Sequence, residues 1–92
     1  MNPRAAQFGA EEIDLRDVAF TPQLLALVPA EFARLHQLLP LADQGDTLKV
    51  AMVDPSNLNA IDSLHHQSDR FIHVCVADAA QMREFIDRLY NP

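Results

Sequence analysis

The chain has 92 residues, of which 49% are apolar, and a formal charge of −6. A single domain of this size buries only about 60–65% of the surface its unfolded chain exposes, too little for a deep enclosed active site. The acidic balance, with no Lys/Arg cluster to interrupt it, disfavours nucleic acid and anionic lipid as partners, and Cys75, the one cysteine, excludes an internal disulfide.

Residues 1–12 contain Pro, Gly and polar residues without a sustained period, and they read as a flexible leader before a domain over residues 13–90. No apolar run approaches the roughly 20 residues of a membrane span, and the leader lacks a signal-peptide core. Direct membrane insertion is therefore not expected, and the reading points to the cytoplasm. Thr21 and Pro22 form a helix start, with Thr21 as cap and Pro22 at the first position, followed by Leu24, Leu25, Leu27 and Val28. These apolar residues nearly encircle a short helix. They form either a core helix or, through Leu24, Leu25 and Leu27, a partner-binding surface. Pro29 opens a second helix to His36, with Phe32 and Leu35 three apart.

Residues 37–43 and 47–53 read as two strands of an antiparallel hairpin around Gln44, Gly45 and Asp46, in which Gly45 supplies a positive φ. Pro40 cannot donate to a ladder, so its strand belongs at a sheet edge or carries an irregular position. Asp54 as a side-chain acceptor and Pro55 at the first helical position make a strand-to-helix corner. Leu58, Ile61 and Leu64 continue from it as a helical stripe. Phe71 to Val76 reads as a short buried strand. The connection before it is long enough for a helical crossover, which places it parallel to residues 47–53 in a right-handed β-α-β unit. Asp78 and Gln81 resemble a capping box for a last helix that buries Ala79, Met82, Phe85, Ile86 and Leu89. The expected fold is α/β (α+β): a small mixed three-stranded sheet packed with about four helices.

Chemistry-bearing constellations are sparse. Gly9 and Gly45 are the only glycines and neither begins a phosphate loop, which excludes a P-loop and a dinucleotide fingerprint. His73 and Cys75 share a strand face, and Asp62 with His66 has i, i+4 spacing, yet no pair shows the spacing of a zinc finger. The apolar strand around Cys75 does not favour a reactive thiolate. Asp14 with Asp17 and Glu11 with Glu12 read as solvated charge. No catalytic, cofactor or metal site is expected.

The residues Ile13-Asp14-Leu15, Val28-Pro29, Leu39-Pro40-Leu41, Leu48 through Pro55, Asn57 with Ala60-Ile61-Asp62, and a last helix closing on Tyr90 together resemble one family. It is the N-terminal domain of the assembly ATPases of type II secretion and type IV pili, in its later, MshEN-like portion. In that resemblance Asp54, Pro55, Asn57 and Asp62 form a structural motif. The implied role is a non-catalytic adaptor that docks the ATPase to the cytoplasmic part of an inner-membrane platform protein, peripheral to the membrane through that partner. Cyclic di-GMP binders of the family carry paired Arg-Leu-Gly motifs. Their absence here, with the net negative charge, disfavours that ligand. The alternatives are a sensor of cyclic di-GMP or another small ligand, and a free-standing regulator or self-associating scaffold.

Overall fold

The structure, a computed structural model, describes residues 11–90. A four-stranded mixed sheet carries helices on both faces, which confirms the α/β class with one strand more than expected. The strands are β1 (Glu11–Glu12), β2 (Leu38–Asp43), β3 (Thr47–Met52) and β4 (Phe71–Val76), in the order β1-β4-β3-β2. The helices are α1 (Pro22–Leu25), α2 (Ala30–His36), α3 (Leu58–Ser68) and α4 (Ala79–Tyr90), and a 3-10 turn spans Leu15–Asp17. None of these helices is long and apolar enough to cross a membrane.

Strands β2 and β3 pair antiparallel around Gly45, whose φ of 91° a side chain would strain. Strand β2 lies at the sheet edge, and its register shifts between Pro40 and Ala42, so both consequences expected of Pro40 are present. Strands β3 and β4 pair parallel from Thr47↔Phe71 to Met52↔Val76, with α3 as the crossover. The end of that crossover is fastened to the hairpin. Arg70 donates to Asp43 through Nε at 2.8 Å and Nη2 at 3.1 Å, and this guanidinium holds the Asp43 carboxyl below its ordinary range.

Alternation along β3 divides the core between the two faces. Leu48, Val50 and Met52 pack with Leu38, with Ala60 and Leu64 of α3, with Ala33 of α2, and with Leu24 and Val28. Ala51 packs on the other face with Leu39, Leu41 and Cys75, with Met82 and Ile86 of α4, and with Leu15 of the 3-10 turn.

Three local expectations are corrected. The leader was expected through residue 12, and residues 1–10 lie outside the described residues. Glu11 and Glu12, however, form β1, paired parallel to Cys75 and Val76. Strand pairing uses backbone groups alone, so two exposed acidic residues can complete an edge without any apolar pattern. Gln37 is not in a strand: it caps α2 in the left-handed region, with φ 51° and its N–H bonded to the Ala33 carbonyl. Finally, α3 does not start at Pro55. Asn57 caps it, its side chain accepting from Ala60 N at 3.2 Å. Asp54 Oδ1 instead accepts from Ser56 N at 3.0 Å and Ser56 Oγ at 2.6 Å, and the Asp54 carbonyl accepts from Asn57 N at 3.3 Å. An acidic residue before Pro thus builds a turn ahead of the helix.

Candidate functional site

Of the expected motif, Asp54, Pro55 and Asn57 lie together ahead of α3, while Asp62 stands apart on that helix. Asn57 Oδ1 caps α3 while its Nδ2 donates to His36 Nδ1 at the end of α2, 3.5 Å away. Asp54 and Pro55 form the turn before it, and Asp62 is exposed on α3, 3.6 Å from His66 Nε2. The Asn57–His36 contact joins the end of α2 to the start of α3.

Of Leu24, Leu25 and Leu27, read as core helix or partner surface, the first is buried and the other two are half-buried. Leu24 is 8% exposed within the α2/α3 core, Leu27 packs against the same core, and Leu25 packs against the opposite one. The α1 segment is therefore wedged between both layers, and the Tyr90 hydroxyl clasps it by donating to the carbonyls of Leu25 (3.3 Å) and Val28 (3.0 Å). Leu25 and Leu27 keep part of their surface in solvent, and Ala26 is exposed.

Gln81 does more than cap α4. Its backbone N–H is held by Asp78 Oδ2 at 3.0 Å, as expected of a cap, while its side chain reaches the 3-10 turn at Asp14 and Leu15. Asp14, read from sequence as solvated charge, accepts from Arg16 and Gln81, and hydrogen bonding to the Arg16 guanidinium holds its carboxyl well below the usual carboxylate range.

Two constellations have chemistry suited to a ligand. One is a groove of about 150 Å³ between α2 and α4, lined by Arg34, Gln37, Arg83, Ile86 and Asp87. There Arg34 Nη1 donates to Asp87 Oδ1 at 2.7 Å. The other lies on the face of β4. His73 and Cys75, two residues apart, meet Glu11 of β1, and their ligand atoms all lie within 4.8 Å of one another. The sequence showed the His73 and Cys75 pair; the third member was hidden because β1 was read as leader. Arg34 and Arg83 lie 49 positions apart, and only the packing of α2 on α4 unites them.

This layered domain, a mixed sheet with an edge strand at Glu11 and a polar corner at Asn57, is an MshEN domain: residues 8–92 match that family's model, and the chain belongs to the family. The particular relatives include a type IV pilus assembly ATPase. The type IV pilus assembly ATPase PilB of Myxococcus xanthus (strain DK1622) is 39% identical over 84 residues, covering 91% of this chain and 15% of PilB. The chain thus spans about 15% of the length of that relative. The solved structure of MshE with cdg (cyclic di-GMP) matches with a TM-score of 0.80 at 32% identity, over 91% of this chain and 61% of that one. The N-terminal domain of XpsE matches with a TM-score of 0.78 at 19% identity, over 92% and 60% of the two chains, which shows the shared fold.

These likenesses correct the expectation that cyclic di-GMP is disfavoured as a partner. A structural relative at 32% identity is solved with that ligand, so the missing Arg-Leu-Gly and the net charge do not exclude it. Net charge is a sum over the surface, whereas phosphate recognition is decided by a few donors at one place.

Proposed function

We propose that this domain is an N-terminal regulatory module of a type II secretion or type IV pilus assembly ATPase, and that it senses a cyclic dinucleotide of the cyclic di-GMP class. The observation that carries this reading is the match to the structure of MshE with cdg, at 32% identity over 91% of the chain. The groove between α2 and α4 supplies suitable chemistry. A guanidinium can bind phosphate through two parallel N–H donors and stack on a base, and Arg34 and Arg83 stand on facing helices with the Gln37 amide beside them. At about 150 Å³ the groove suits one phosphate–sugar corner, with the rest of the ligand lying across the surface. Phosphate entry competes with Asp87 for Arg34. In this reading the domain performs no catalysis and transmits occupancy to the rest of the ATPase on the cytoplasmic side.

The test is isothermal titration of the 92-residue chain with cyclic di-GMP, with GMP as control. Saturable one-to-one binding, weakened by Arg34→Ala and Arg83→Ala together, is the expected result. No binding at millimolar ligand would sink the reading.

A second reading, docking onto the cytoplasmic part of a platform protein or onto the ATPase itself, is favoured by three exposed apolar side chains. Leu35 is 76%, Leu58 73% and Phe71 69% exposed. Leu35 and Leu58 lie beside His36 and Asn57, whose contact joins α2 to α3. Co-sedimentation with the platform fragment should be lost in Leu35→Ser combined with Leu58→Ser; capture that survives both changes would move docking elsewhere.

A further inference from the structure

Glu11, His73 and Cys75 combine three donors on two adjacent strands. The register fixes this arrangement. Glu11 is the strand partner of Cys75, and His73, two residues before Cys75, projects from the same face of β4. A carboxylate, an imidazole and a thiol are the donor set that a borderline-soft divalent ion of the zinc class accepts, and three protein ligands leave a fourth position open. Glu11 and His73 are exposed and Cys75 is buried, so the cluster spans from solvent to the sheet surface.

We propose that Glu11, His73 and Cys75 form a site for Zn²⁺ or a similar transition-metal ion that clamps β1 onto β4. Zinc–ligand distances of about 2.0–2.3 Å require the three donor atoms to approach within about 3.2–3.8 Å of one another. They lie within 4.8 Å, and the two exposed side chains have rotamer freedom to close the remainder. The buried Cys75 supplies a fixed anchor. Lys49, the strand neighbour of His73, places Nζ 3.7 Å from Glu11 Oε2 and so competes with the ion for the carboxylate. The clamp acts where pairing is thinnest: β1 has two residues, and beyond them the bond from Ile13 N to the Val76 carbonyl at 2.9 Å continues the attachment. Metal binding would thereby fasten the chain before Ile13 to the sheet edge.

The experiment is titration of the reduced 92-residue chain with Co²⁺ as a spectroscopic probe, followed by competition with Zn²⁺. One ion per chain is expected, with a thiolate-to-cobalt charge-transfer band that Zn²⁺ abolishes. His73→Ala and Glu11→Gln, both at exposed positions, should keep the fold by circular dichroism and each weaken affinity by about tenfold or more. Lys49→Met should tighten it. Absence of the thiolate band, or affinity unchanged in both His73→Ala and Glu11→Gln, would overturn the proposal.

Discussion

Gln81 and Asp14, 67 positions apart, are joined by a 2.9 Å hydrogen bond from Gln81 Nε2 to Asp14 Oδ1. The other end of the same amide accepts from Leu15 N at 2.8 Å, so one side chain on α4 fastens the 3-10 turn and seats the fully buried Leu15. Gln81→Ala leaves the part-buried Leu15 N–H without its acceptor and should cost about 1–3 kcal/mol in urea unfolding. A change within 0.3 kcal/mol, roughly the noise of such comparisons, would show that solvent replaces the amide.

The Asp14 carboxyl gives this contact a pH dependence. Its folded-state pKa is depressed by the Arg16 guanidinium, so its contribution is present above the ordinary carboxylate value of about 4 and is lost as the pH falls below it. Asp14→Asn should flatten the acid limb of the stability curve; an unchanged limb would assign that limb to other carboxylates.

Asn57 and Asp54 can be told apart by substitution. Asn57→Ala removes the α3 cap and the contact to His36, and should cost about 1–2 kcal/mol. Asp54→Ala loosens an exposed turn and should cost less, about 0.5 kcal/mol. Thermal melts followed by far-ultraviolet dichroism give the order, and the reverse order would return the helix start to Asp54.

Tyr90 should titrate late. Burial pushes its phenol up to about 12. Because the neutral phenol is favoured in the folded state, its contribution is complete below the ordinary value of about 10 and is lost as the pH rises toward 12. Phenolate absorbance should therefore rise only as the pH nears 12, and Tyr90→Phe, which loses the hydrogen bonds to Leu25 and Val28, should lower stability by about 1 kcal/mol at neutral pH. Ordinary titration in the folded protein would disprove the clasp.

Gln37 holds a left-handed backbone without being glycine. Gln37→Gly should raise stability by up to about 1 kcal/mol, because relief of the Cβ clash outweighs the added freedom of the unfolded chain. A lower denaturation midpoint would show instead that the Gln37 side chain contributes to the groove beside Arg34.

The hairpin, the β-α-β unit and the last helix were legible because each writes its period and its punctuation in neighbouring residues: Gly45 at the turn, Leu58 with Ile61 and Leu64 on one face, Asp78 before Met82 and Ile86. What escaped depends on distant partners. Glu11 and Glu12 become a strand only because β4 offers them an open ladder. Gln81 reads locally as the partner of Asp78 in a cap, and its side chain reaches the 3-10 turn only through the fold. Asp54 before Pro55 has the same local signature in a turn as at a helix start, and the hydrogen bonds of Ser56 and Asn57 decided between them. The arginine groove is assembled by helix packing, and strand register adds Glu11 to the locally legible pair of His73 and Cys75.

The two margins of the sheet differ in how they meet other polypeptides. On one side Pro40 offers no N–H and the neighbouring register is irregular, so a foreign strand laid along β2 would find an interrupted template. On the other, Glu11 and Glu12 bring two exposed acidic residues to the margin, and an identical edge approaching it would be repelled. Both margins of the sheet are therefore poor templates for a further strand.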